Sequence, residues 1–158
     1  MIPTSNEKIA HIFTLTLNTE VMQDIKIGLA EDHQKYRDVL KMILAFTPNL
    51  ELVVVAANGQ ELLEKLKTTE VDVILLDNNM PVMNGMETLQ ILKHDFPFVK
   101  TIIMSSNNEY EVVRKYAQLG ANSYLLKNTD YNVMVATIKS VHAFGISPSD
   151  MFHSQKIA

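Results

Sequence analysis

Ile74-Leu75-Leu76-Asp77-Asn78-Asn79-Met80-Pro81 is the stretch on which the fold turns. An apolar run, Val71–Leu76, stops abruptly at a carboxylate, and Pro81 stiffens the loop beyond it. Nearly continuous Val, Ile and Leu over strand length is the pattern of a strand covered on both faces, as in a parallel sheet. Four more runs share that character: Ile25–Ala30, Leu50–Ala57, Thr101–Met104 and Ala121–Leu126. Three of these also end on polar residues, the pair Glu31–Asp32, Ser105 and Lys127. In an open parallel α/β sheet the carboxyl ends of the strands face the ligand crevice. Three carboxylates, a hydroxyl and an ammonium are thus expected to converge there.

Between the runs the period changes to helical. Tyr36, Val39, Leu40, Ile43 and Leu44 share one helical face, as do Leu62, Leu63 and Leu66. Val112, Val113 and Tyr116 repeat the pattern, and Met134, Ile138 and Val141 fall at i, i+4 and i+7. Gly120 stands where a helix end wants a left-handed residue, just before the fifth strand. Asn58-Gly59 and Asn84-Gly85 resemble hairpin turns, but helical sequence follows both, in Gln60–Lys67 and Met86–Lys93, so they read as strand-to-helix turns. Five βα units in succession predict a doubly wound α/β domain over residues 23–145. Pattern alone leaves the strand order open.

Composition narrows the function classes. With 158 residues, 47% hydrophobic and 20% charged, the chain suits one ordinary globular domain with short extensions. A formal charge of −4 offers no attraction to nucleic acid or to an anionic membrane surface. The absence of cysteine excludes disulfides and thiolate metal sites. The run Leu52–Ala57 is far short of the roughly 20 residues that span a bilayer, no secretory signal is evident, and a cytoplasmic location is expected. Residues 1–22 form an N-terminal extension with an alternating segment, Ile12–Leu17, readable as an edge strand, a partner-binding arm or a leader. Met22 directly precedes the core and is a second candidate start. Residues 146–158 read as a C-terminal tail too short for a helix-turn-helix.

The chemistry follows from the residue types. Glu31, Asp32 and Asp77 held close together repel one another, and a bound Mg²⁺, with its preference for carboxylate and phosphate oxygen, removes that cost. An aspartate so placed can act as a nucleophile toward phosphorus, with Lys127 and the Ser105 hydroxyl stabilising the transferred group. Taken singly, an aspartate at a strand end is commonly a turn former, and a lone serine or lysine there is commonly solvated. Equivalent placement at consecutive strand ends favours a common site.

At this point the sequence resembles the receiver domain of bacterial two-component response regulators over about residues 23–145. The resemblance is closest to receivers of the NarL/FixJ subgroup, which precede a LuxR-type helix-turn-helix. It is carried by Ile27-Gly28-Leu29-Ala30-Glu31-Asp32-His33, Ala56-Ala57-Asn58-Gly59 and Gly120-Ala121-Asn122-Ser123-Tyr124-Leu125-Leu126-Lys127. The resemblance implies a flavodoxin-like (βα)5 sheet of order 2-1-3-4-5. It implies Asp77 as phosphoacceptor, with Glu31, Asp32, Asp77 and the backbone carbonyl of Asn79 around Mg²⁺. Ser105 and Lys127 would contact the phosphoryl group, and Tyr124 would be the aromatic switch residue whose ring turns inward with Ser105. Without the resemblance, Tyr124 reads as a half-buried strand aromatic. A sensor histidine kinase is the implied phosphoryl donor. Homodimerisation through the fourth-helix to fifth-helix face fits the family pattern, without direct nucleic-acid or membrane binding by this chain. The output would be transcriptional where a DNA-binding domain follows.

The sequence departs from the family pattern at three points. Glu31 replaces the more frequent aspartate with a longer arm, which could reach metal through water. Ser106 stands where a smaller residue is usual and would restrict access to Asp77. Asn128 replaces a frequent proline. A haloacid-dehalogenase-type phosphatase is disfavoured because position 79 is Asn rather than the second aspartate such enzymes use. A phosphate-cradling cofactor module is disfavoured because Glu31-Asp32-His33 would repel an anion. The histidines lack ligand spacing and the methionines read as core or loop filler. The alternative function is a non-phosphorylated receiver-like protein-interaction module.

Overall fold

The computed structural model describes residues 23–146. The segments assigned above to an N-terminal extension and a C-terminal tail lie outside the described residues, apart from Ile146. Five strands alternate with five helices: β1 Ile25–Ala30, α1 Gln34–Ala45, β2 Leu50–Ala56, α2 Gly59–Leu66, β3 Val73–Asp77, α3 Gly85–Asp95, β4 Lys100–Ser105, α4 Tyr110–Gln118, β5 Ser123–Leu126 and α5 Tyr131–Phe144. All neighbouring strands are parallel, and their order is β2-β1-β3-β4-β5. The doubly wound fold and the implied order are both present.

Strand β3 explains why its sequence is unbroken: every residue from Val73 to Asp77 is buried. Ile74 and Leu76 face one core beneath α2, α3 and α4, while Val73 and Leu75 face a second core beneath α1 and α5. Each fully buried Leu or Ile contributes about 1.5–3 kcal/mol relative to exposure. A shift of one residue would exchange the two faces, so the central register is firmly set.

The strand ends differ slightly from the sequence expectation. Val71 and Asp72 precede β3 rather than joining it, because the Asp72 carboxylate accepts from the Lys26 N–H at 2.8 Å. Ala121 and Asn122 likewise precede β5. The Asn122 side chain accepts from Thr101 N–H and donates to the Gly145 carbonyl, locking the turn before β5 to the end of α5. Gly120 adopts φ 92°, the left-handed value expected at that helix end.

Loops at the carboxyl edge are closed by side chains. Asn84 caps α3 by accepting from Met86 and Glu87 N–H, and Glu87 reaches back to Asn84 N–H, a capping box. Asn58 caps α2 by accepting from Glu61 N–H, and the Glu61 carboxylate accepts from Ala57 N–H. Both Asn-Gly pairs therefore start helices rather than hairpins.

Candidate phosphoryl-transfer site

The order β2-β1-β3-β4-β5 brings the ends of β1, β3, β4 and β5 to one edge, with β3 central. Glu31 follows β1, its N–H donating to the Ala56 carbonyl at 3.0 Å and so extending the sheet by one residue. Its side chain is turned inward and is 1% exposed. Asp32 is exposed at the rim. Arg37 on α1 holds the turn between them, its guanidinium donating to the carbonyls of Glu31 at 2.6 Å and Asp32 at 3.1 Å. Asp77 closes β3 and is 2% exposed. Carboxylate oxygens of Glu31, Asp32 and Asp77 lie within 4.8 Å of one another.

Lys127 enters from the end of β5, where its N–H donates to the Ser105 carbonyl at 2.9 Å. Its Nζ lies 2.7 Å from Glu31 Oε2 and 3.0 Å from Asp77 Oδ1. One ammonium thus bridges two buried carboxylates. Tyr36 of α1 supports this arm: the Lys127 Nζ lies 5.0 Å from its ring centroid, and its hydroxyl donates to the Lys127 carbonyl at 3.2 Å. A crevice of about 460 Å³ opens beside them, lined by Tyr36, Ser106, Asn108, Leu126, Lys127 and Asn128.

The two oxygens of Asp77 are not equivalent. Oδ1 meets Lys127 and accepts from the Asn79 N–H at 3.3 Å. Oδ2 is buried and has no hydrogen-bond partner among the described residues. Burial pushes the Asp77 carboxyl up from 3.8 to about 6; the Lys127 hydrogen bond opposes that rise and the Glu31 charge adds to it. Burial alone would lower the Lys127 ammonium, but Glu31 and Asp77 overcome it and hold the group above its ordinary value. Glu31 is well occupied, with Oε1 accepting from the His33 N–H at 3.0 Å and Oε2 facing Lys127.

These residues fit a small hard cation. The donors are oxygens, three carboxylates face one another, and a buried Asp77 oxygen lacks a partner among the described residues. Asp32 and Asp77 would hold it most directly, with Glu31 drawn toward Lys127.

Ser105 closes β4 and is buried, its hydroxyl accepting from the Asn107 N–H at 3.0 Å. Tyr124 on β5 is 9% exposed, and its hydroxyl donates to the Asn107 carbonyl at 2.5 Å. Burial raises the Tyr124 phenol and a hydrogen bond with Ser105 partly offsets it. The ring packs inward, against that of Tyr116. Asn79 lies on the exposed loop beyond Asp77, and Ser106 is exposed at the crevice. That loop contains Val82 at φ 69°, inside a three-residue turn closed by Met83 N–H to the Pro81 carbonyl at 2.7 Å. Val82 itself is 75% exposed.

The sequence-predicted residues Glu31, Asp32, Asp77 and Lys127 are thus gathered in one pocket, with Ser105 and Tyr124 joined beside it. Sequence reasoning missed three supporting groups. Tyr36 and Tyr116 carried only the signal of helical core positions, and Asn107 carried none.

The fold and pocket define a class of protein, the signalling receivers of two-component systems. The family model "response regulator receiver domain" matches residues 27–139, and the chain belongs to that family. Among its relatives, DegU, NarL and NreC fall in the NarL/FixJ subgroup. The transcriptional regulatory protein DegU of Brevibacillus brevis is 34% identical over 126 residues, 79% of this chain and 53% of DegU. The nitrate/nitrite response regulator protein NarL of Escherichia coli K12 is 36% identical over 104 residues, 66% of this chain and 48% of NarL. The chain spans about half the length of these curated relatives. A LuxR-family two-component response regulator from Aurantimonas superposes with TM-score 0.76 at 20% identity, covering 85% of this chain and 96% of that one. A CheY-like receiver domain protein from Methanospirillum hungatei gives TM-score 0.71 at 25% identity, covering 77% and 95%. No helix among the described residues is long and apolar enough to cross a membrane.

Proposed function

We propose that this receiver accepts a phosphoryl group on Asp77 from a sensor-kinase phosphohistidine, and that Mg²⁺ assists. The observation that carries the reading is the asymmetry of Asp77: Oδ1 is held by Lys127 and Asn79, while Oδ2 is buried without a partner among the described residues. A fixed carboxylate with one free oxygen is prepared for attack. An Oδ2 lone pair forms the new O–P bond as the P–N bond breaks, and the electron pair leaves with the imidazole nitrogen. Lys127 offers its ammonium to the charge gathered on the phosphoryl oxygens, and Ser105 offers its hydroxyl. Asp32, Asp77 and the Asn79 carbonyl would hold the cation, which would supply further charge neutralisation. Glu31 acts mainly by holding Lys127. Water later cleaves the acyl phosphate and restores Asp77, the chain's own dephosphorylation.

Loading Asp77 draws Ser105 toward the phosphoryl group and shifts an existing equilibrium of β4, α4 and Tyr124. Moving that balance from 1:99 to 99:1 takes about 5.5 kcal/mol of differential stabilisation. The output is transcriptional control through a DNA-binding partner domain, a reading favoured by the likeness to the transcriptional regulatory protein DegU. Homodimerisation on the α4–α5 side and a cytoplasmic location complete the reading.

The test is incubation with radiolabelled acetyl phosphate and Mg²⁺, then with a cognate kinase. Base-labile label in the wild type and none in Asp77→Ala is expected. Equal labelling of both proteins would move the phosphoacceptor away from Asp77, and no label in the wild type with kinase present favours a non-phosphorylated interaction module instead.

A further inference from the structure

Among the buried polar groups that the phosphoryl chemistry above leaves unused is the hydroxyl of Tyr116. Tyr116 of α4 is 0% exposed, although its hydroxyl requires a partner in the core. That partner is Asn78, whose Oδ1 accepts from the phenol. Asn78 directly follows Asp77 and is pinned on the backbone as well: its N–H donates to the Met104 carbonyl and its carbonyl accepts from Gly85 N–H, both at 3.0 Å. Gly85 makes the approach feasible. A Cβ at that position would lie 2.4 Å from the Asp77 carbonyl oxygen and 3.1 Å from the Tyr116 hydroxyl.

On its other side Tyr116 meets the switch residue. The rings of Tyr116 and Tyr124 have centroids 5.8 Å apart with planes inclined at 51°. Tyr124 in turn donates to the Asn107 carbonyl, and Asn107 N–H donates to Ser105 Oγ. The contacts therefore run from the neighbour of Asp77, through two tyrosines and Asn107, to Ser105.

We propose that Tyr116 is a positioning residue that couples the Asn78 side chain to the Tyr124 ring. If Tyr124 leaves its inward position, the ring of Tyr116 loses its partner and repacks. It can do so only by breaking a buried phenol bond or by moving Asn78 with it, and a buried donor without an acceptor is strongly disfavoured. The loop beside Asp77 thus senses Tyr124 by a route parallel to the one through Ser105. The inference rests on the reading of Asp77 as phosphoacceptor and Tyr124 as switch, and adds a second connection between them.

The coupling can be tested without any phosphoryl group. With ring-¹³C tyrosine, the five tyrosines of the chain are assignable by single Tyr→Phe replacements. Asn78→Ala should shift the Tyr124 ring resonances in the wild-type background and leave them in place in the Tyr116→Phe background. Tyr116→Phe removes only the hydroxyl and keeps the ring that fills the core. No shift on Asn78→Ala, or the same shift in both backgrounds, overturns the proposal. In a second arm, beryllofluoride with Mg²⁺ should move Tyr124 less in Tyr116→Phe than in the wild type, and an equal response also overturns it. Label uptake on Asp77 is scored separately, so failure of the phosphoacceptor reading is distinguishable from failure of the coupling.

Discussion

Asp77→Asn should make the metal-free protein more stable near neutral pH. The carboxyl, 3% exposed as a side chain, is held at about 6 instead of 3.8, chiefly by burial and despite Lys127. At about 1.36 kcal/mol per pH unit this interval corresponds to ~3 kcal/mol. The crevice opens to solvent, and screening trims the figure to ~1–2 kcal/mol. The sign follows from proton linkage. The folded protein holds this proton more tightly than the unfolded chain, so the stabilising contribution is complete below about pH 4 and is lost as pH rises through about 6. An amide carries no charge at any of these pH values. Thermal unfolding in chelator at pH 7.5 should place Asp77→Asn about 2–8 °C above the wild type, closing to no difference near pH 4. Added Mg²⁺ should raise the wild type more than the variant, because a ligand stabilises the state that binds it. Equal melting temperatures at pH 7.5, or a gap unchanged near pH 4, would refute the reasoning.

Lys127→Ala leaves Glu31 and Asp77 facing each other without their shared ammonium, and should cost ~1–3 kcal/mol in chelator. Its Mg²⁺ affinity by titration calorimetry should not fall, since a competing cation has been removed; a large loss would contradict the geometry. Ser105→Ala should keep acetyl phosphate labelling while losing the movement of Tyr124 seen by NMR, and abolished labelling would show that the division of roles is wrong. Gly85→Ala places a Cβ 2.9 Å from Asn78 Cα and closer still to the Asp77 carbonyl, so ~1–3 kcal/mol of destabilisation by denaturant titration and slower labelling are expected. A variant matching the wild type in both would show that this loop yields more easily than its packing implies.

The class of fold was legible because β3 is buried on both faces, and such a strand can only be written in unbroken apolar residues. The acidic pocket was legible because its members all stand at strand ends, where sheet topology alone gathers them. The pairing within the pocket was not. Nothing local distinguishes a glutamate at position 31 that ligates metal from one that reaches Lys127, since the choice depends on how deeply the longer arm is buried. Tyr116 was hidden for a similar reason. Its helical spacing announces a core position, whereas its hydroxyl finds a partner 38 residues away through a contact made only when α4 docks. The strand boundaries slipped where a side chain replaced a ladder bond, as Asp72 does for Lys26 N–H and Asn122 for Thr101 N–H.

Val82 gives the lip of the acidic pocket a particular character. A β-branched residue held at positive φ carries about 1–3 kcal/mol of backbone strain, and its exposed side chain returns little of that through packing. The tension is stored outside the core, on the exposed turn that follows Asp77. One codon there can tune how readily the entrance deforms while the acid, the amine and the hydroxyl beneath it stay as they are.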